Sequence, residues 1–121
     1  MVEYWEVTAT FNANTPAGSV VTATVKRSAV ASAENGVYLP SGAVIDDIYV
    51  LSASGLKTKL IINSSGQSFP LNLIEDAIVV SNPSRPQTKL ALGPGSYTFS
   101  MINMVAVGTS AVTVTWYIKV L

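Results

Sequence analysis

The 121 residues include no His and no Cys, which removes the side chains that do most nucleophilic, general-base and thiolate chemistry. Without imidazole, neither a Ser-His-Asp nor a Cys-His arrangement can form. Without thiolates there are no disulfides and none of the common structural zinc sets. Carboxylates are the remaining candidates, and they occur as two adjacent pairs, Asp46-Asp47 and Glu75-Asp76. Neighbours on an extended strand point to opposite faces, so neither pair can share a proton by itself. Each reads as a strand-edge or loop pair making hydrogen bonds. Converging loops could turn the two pairs into an oxygen-ligand calcium site, but no spaced calcium-loop motif accompanies them. The expectation is therefore no enzyme, no catalytic, metal-binding or cofactor-binding residue, and no cofactor.

Other short patterns add little chemistry. Gly93-Pro94-Gly95 lacks the spacing, the Lys and the following helix of a phosphate loop; its residues suit a type II turn. Asn63-Ser64-Ser65 matches the N-glycosylation acceptor pattern, which matters only if the chain meets a glycosylation system. Tyr4, Trp5, Tyr38, Tyr49, Tyr97, Trp116 and Tyr117 could furnish a sugar-stacking platform. Trp5 and Trp116 fall on alternating apolar faces, however, and are assigned to the core. Lys26-Arg27 and Lys57/Lys59 are solvated strand ends and faces, too few for a nucleic-acid surface.

Composition narrows the class. Seven Lys and Arg balance seven Asp and Glu, and charged residues make up 12% of the chain, about half the usual share of about 25%. A neutral chain exerts no long-range pull on phosphates, which argues against nucleic-acid partners. No apolar run nears the ~20 residues of a membrane-spanning helix. The segment from Met1 to Phe11 carries Glu3 and Glu6 and does not read as a signal peptide. With 49% hydrophobic residues and few charges to coat a surface, much of the exterior is expected to face other protein.

The elements that must position these residues are strands. From Tyr4 to Phe11 the chain alternates, with Trp5, Val7, Ala9 and Phe11 on one face. The pattern returns at Ser19 to Arg27, Val37 to Leu39, Ala43 to Ser52 and Leu56 to Asn63. Further strands are expected at Ser68 to Leu73, Ile74 to Val80 and Thr88 to Leu92. Ser96 to Val107 and Ala111 to Leu121 read as a long hairpin around Gly108-Thr109-Ser110, with Asn103 interrupting an apolar face and suggesting a bulge or a face covered twice. Only Ser28 to Asn35 has helical potential, and it is short. Eight or nine strands with no substantial helix in residues 1–121 predict a single all-β domain, best accommodated as an antiparallel jelly-roll sandwich. A nine-stranded immunoglobulin-like sandwich is the rival.

Three segments carry a family likeness: Leu39-Pro40-Ser41-Gly42-Ala43-Val44-Ile45, Leu90 to Phe99 with its Gly93-Pro94-Gly95, and Gly108 to Val114. Together with strand order and composition they resemble small jelly-roll structural proteins of tailless icosahedral viruses, especially those infecting archaea and thermophilic bacteria. The resemblance implies a noncatalytic capsid, vertex (penton), turret or spike subunit located in the virion. It would act by homo-oligomerisation and by docking to other coat proteins. Typical major coat subunits of that group are longer or doubled, so this chain looks more like a vertex, spike or minor component. The residues leave two alternatives: a carbohydrate-binding jelly-roll module, and a subunit of an extracellular filament built by strand exchange through the N-terminal strand.

Overall fold

The computed structural model describes residues 2–30, 32–52, 56–64, 70–74 and 90–121. Glu75-Asp76, and with them all but the first residue of the strand expected at Ile74 to Val80, lie outside the described residues. The described residues form nine strands: β1 (Glu3–Phe11), β2 (Val20–Arg27), β3 (Gly36–Leu39), β4 (Ala43–Ser52), β5 (Thr58–Ser64), β6 (Pro70–Ile74), β7 (Leu90–Leu92), β8 (Gly95–Asn103) and β9 (Val112–Val120). The described residues between Ser28 and Asn35 form turns, bends and a bridge rather than a helix. Glu34 exchanges both backbone hydrogen bonds with Val25.

The pairings are nested. β1 pairs with β9, β2 and β3 with β8, β4 with β7, and β5 with β6, every ladder antiparallel. This long ribbon rolls up, so that β9 also pairs with β4 and β8 with β5. One sheet then reads β1-β9-β4-β7. The other reads β8-β5-β6, with β2 and β3 end to end along the free side of β8. This is the jelly-roll arrangement. β2 belongs to both sheets, because Val20–Ala23 pair with β8 while Thr24–Arg27 pair with β1.

This topology corrects the expected terminal hairpin. β8 and β9 do not pair with each other but lie in opposite sheets. The physical reason is that both carry a strongly apolar face. Tyr97, Phe99 and Met101 on β8 and Val114, Trp116 and Ile118 on β9 are all buried. Two such faces cover each other when the strands face across a core; side by side in one sheet they would still need a lid. Gly93-Pro94-Gly95 likewise departs from a type II turn: Gly95 has φ +148°, far from the ~+80° of that turn. The segment is a corner carrying the chain from β7 in one sheet to β8 in the other.

The interior joins the two sheets residue by residue. Trp5 on β1 meets Phe99 on β8 edge to face, with ring centroids 6.1 Å apart and planes at 74°. Trp116 on β9 donates its indole Nε1–H to Thr58 Oγ1 on β5 at 3.1 Å, which satisfies a polar group that would be costly to bury alone. At the rim of this core Arg27 grips the Glu3 carboxylate with two nitrogens, Nη2 lying 3.0 Å from Oε2. The same guanidinium sits 5.8 Å from the centre of the Trp5 ring, within cation–π range. The hydrogen bonds from Arg27 hold the Glu3 carboxyl below its ordinary range, against a smaller opposing effect of burial.

Two predictions follow from these contacts. Gly42 ends the Leu39–Gly42 turn at φ +71°, and a Cβ there would lie 2.3 Å from the Leu92 carbonyl oxygen. Gly42→Ala should cost about 1–3 kcal/mol, read as a lower denaturation midpoint at unchanged m-value. Because the Glu3 pKa is lowered on folding, its stabilisation is present above the unfolded value near 4.5 and fades as pH falls through the folded value. Glu3→Gln should therefore be less stable than the parent at neutral pH, with the gap closing below about pH 4 in chemical denaturation series.

Candidate functional site

The acidic pair Asp46-Asp47 sits where β4 departs from regular pairing. Its register to β9 shifts between Ile45 and Asp47, so that Ile45 and Ile48 are both buried while the two aspartates between them are both half-buried. A bulge of this kind overrides the alternation that would send neighbours to opposite faces. Lys119 on β9 reaches Asp46, with Nζ 3.4 Å from Oδ2. The pair is thus part of a lysine-bridged patch on the outer wall. Among the described residues no three acidic side chains gather as a metal-binding group.

Asn63 lies inside β5, paired with Thr98 on one side and Pro70 on the other. It is half-buried, and its Nδ2 lies 3.5 Å from Ser100 Oγ. A side chain packed mid-sheet is a poor acceptor for an oligosaccharide, which glycosylation places on accessible loops. Of the aromatic set, Trp5 and Trp116 are fully buried as expected, and Tyr97 is buried with its hydroxyl donating to the Gly93 carbonyl at 2.7 Å. Tyr4 and Tyr38 are 57% and 63% exposed, but they stand on different sheets and form no common platform.

The outer wall of the sheet around β1 and β9 is organised in cross-strand rows. At one end, Leu121 follows β9 and donates its backbone N–H to Val44, and Val44 is opposite Ala91 of β7. Continuing the β1–β9 register by one position sets Val2 beside Leu121. Val2, Leu121 and Val44 are 48%, 52% and 40% exposed, so an apolar row crosses the width of a four-stranded sheet. Further along come charged and tyrosine positions: Tyr4 opposite Lys119, then Lys26, Glu6 and Tyr117 in a line. The far end is hydroxylated. Thr8 and Thr115 meet oxygen to oxygen at 3.2 Å, and Thr10 and Thr113 at 3.0 Å.

The loop end of the sandwich turns on Asn103, the residue that interrupts the apolar face of β8. No bulge occurs: β8 pairs regularly with β2 and β5 through this region. Asn103 stays on the inward face, fully buried. Its Oδ1 accepts from Ser19 N–H at 2.9 Å, while Nδ2 donates to the Pro16 carbonyl at 3.0 Å and the Val105 carbonyl at 2.9 Å. Its backbone also bonds Gly18 and Ser19. One amide therefore ties the β1–β2 loop to the β8–β9 loop. Asn14 N–H to Gly108 O and Val107 N–H to Thr15 O complete the seam. Beside it lies an open cleft of about 340 Å³ lined by Leu56, Val105, Val107, Gly108, Ser110 and Val112. The signal available in the sequence was a polar residue placed in register on an apolar face, which points to an internal hydrogen-bonding role.

No protein-family model matches the chain, and no curated protein matches it. A chain in the acidic stable capsid structure of Helicobacter pylori bacteriophage KHP30 is similar over 100% of this chain and 94% of that one, at 12% identity and a TM-score of 0.45. At that level the likeness assigns nothing to this chain.

Asn103→Ala would leave Ser19 N–H and the Val105 carbonyl without these partners and would remove one of the two donors to the Pro16 carbonyl, which keeps Ser19 Oγ–H. Each orphaned group costs about 1–3 kcal/mol before relaxation, so a net loss of about 2–4 kcal/mol is expected in denaturation. Hydrogen exchange should accelerate first at residues 14–19 and 104–108, since these lose their common anchor.

Proposed function

We propose that the chain is a virion structural protein, a vertex, spike or minor coat subunit that acts by self-association and by docking to other coat proteins. The observation that carries this reading is the outer wall. Its apolar row runs the full width of a sheet, and threonines and tyrosines occupy most of the remainder, where a solitary domain this small would carry a denser coat of Lys and Glu. Buried at an interface, each exposed valine or leucine of that row would contribute about 1–2 kcal/mol, and a shell repeats the contact many times over. The jelly-roll topology is a frame already suited to this use, with two rigid walls and a loop end pinned from inside. The resemblance of the Leu39–Ile45, Leu90–Phe99 and Gly108–Val114 segments supplies the remainder: a tailless icosahedral virus of an archaeal or thermophilic bacterial host.

The strand-exchange filament has less behind it. β1 is paired along both edges within its own chain, to β2 and to β9, and supplies Trp5, Val7 and Phe11 to its own core. Exchanging it would open the sandwich.

The test is the native mass of the purified full chain by sedimentation equilibrium, alone and mixed with coat proteins of the same particle. The expected result is a mass that rises with concentration and co-sedimentation with at least one coat protein. A chain that remains monomeric at millimolar concentration and binds none of them overturns the proposal.

A further inference from the structure

The outer wall carries charges whose sign alternates strand by strand. Crossing it from β2 to β4, Lys26 is positive, Glu6 opposite it on β1 is negative, Lys119 on β9 is positive, and Asp46 with Asp47 on β4 is negative. Lys26 and Glu6 are exposed, and the other three are half-buried on the same wall. A wall of one sign would repel its own copy and call for a partner of the opposite sign. A wall that alternates in this order is complementary to itself.

Consider a two-fold axis lying in the plane of the wall, parallel to the strands and midway between β1 and β9. It lays β1 of one copy over β9 of the other, and β2 over β4. Glu6 then comes over Tyr117 of the second copy, beside its Lys119, and Lys26 comes over the Tyr49 position, beside the Asp46-Asp47 pair. In each case the charged partners are offset by one row, about 7 Å along the strand, a distance the four-carbon stem of lysine can cover. The axis shifts nothing along the strands, so every row meets itself. The Val2–Leu121 row packs on its own copy, and Thr8 and Thr10 come over Thr115 and Thr113. Like meets like where the wall is apolar, and opposite meets opposite where it is charged.

We propose that this wall is an isologous interface between two copies of the chain, with the two-fold axis running between β1 and β9. The inference rests on the subunit reading above and specifies its contact. β1, β9 and β4, about nine residues long and about 4.8 Å apart, make a face of about 14 by 30 Å, and Thr24–Arg27 of β2 add about 5 by 13 Å. That is roughly 500 Å² per copy, short of the ~800 Å² per partner typical of a stable complex. The pair is therefore weak alone and is consolidated by repetition in an assembly.

The absence of Cys allows a direct test with the full chain. Facing sheets lie about 10 Å apart, too wide for a disulfide but within reach of a short bis-maleimide. A mixture of Thr8→Cys and Thr115→Cys chains should cross-link, whereas a Thr98→Cys chain, substituted on the exposed face of β8 in the other sheet, should not. Lys26→Glu should weaken association at least tenfold in sedimentation, with folding checked by its thermal transition. If that variant fails to fold, the cysteine pair decides alone. Self-association that persists without Thr8–Thr115 cross-links overturns this interface and leaves the subunit reading standing. A chain monomeric at every concentration and without cross-links overturns this interface, and overturns the subunit reading as well when it also binds no coat protein.

Discussion

A register slip of one residue between β1 and β9 would turn Trp5, Val7, Ala9 and Phe11 to solvent and bring Tyr4, Glu6 and two threonines into the core. The remainder of the molecule depends on that ladder being right. It runs from Glu3 opposite Val120 to Phe11 opposite Val112, joining residues more than a hundred positions apart, and every other pair in the ribbon nests inside it. The register is held from both sides of the sheet. Inside, Trp5 and Trp116 lock into Phe99 and Thr58 of the facing sheet. Outside, the Thr8–Thr115 and Thr10–Thr113 hydroxyl pairs match only in this alignment.

Closing so long a ribbon leaves two difficult places, the ends of the sandwich, where loops must cross from sheet to sheet over a dry core. At one end Asn103 is buried to satisfy the backbone of two loops at once. At the other, Arg27 of the Glu3–Arg27 pair lies over the Trp5 ring. Thr58 and Asn103 are the buried polar residues among those described, and each bonds across elements distant in sequence. Buried polar groups placed this way select one arrangement of the chain more than they add net stability.

The outer walls then become the surfaces available for function. Their strands are already paired and the β1–β2 and β8–β9 loops are anchored at Asn103, so what they present to a partner is preorganised, and association costs little ordering entropy. This is the property a repeating subunit needs. The bulge at Asp46-Asp47 fits the same picture, since it brings both aspartates to the wall beside Lys119 instead of dividing them between wall and core.

Alternation was legible from residue types alone. Trp5, Val7, Ala9 and Phe11 on β1, and Val114, Trp116, Ile118 and Val120 on β9, lie on the faces their period-two spacing demands, because half-burial of a strand admits no other pattern. The strand count and the lack of helix among the described residues, and the core position of both tryptophans, followed from that same local rule. Pairing did not. Two adjacent strands joined by a short loop satisfy the local rule equally well as a hairpin or as facing members of opposite sheets, and only the need of both apolar faces for a cover separated β8 from β9. Asn103 and the Asp46-Asp47 bulge were misread for the same reason: a side chain's partner, or an extra residue in a ladder, is defined by strands far away in sequence. Residue types determined which side of each strand turns inward; the rolled ribbon alone decided what each inward side touches and which outward sides share a wall.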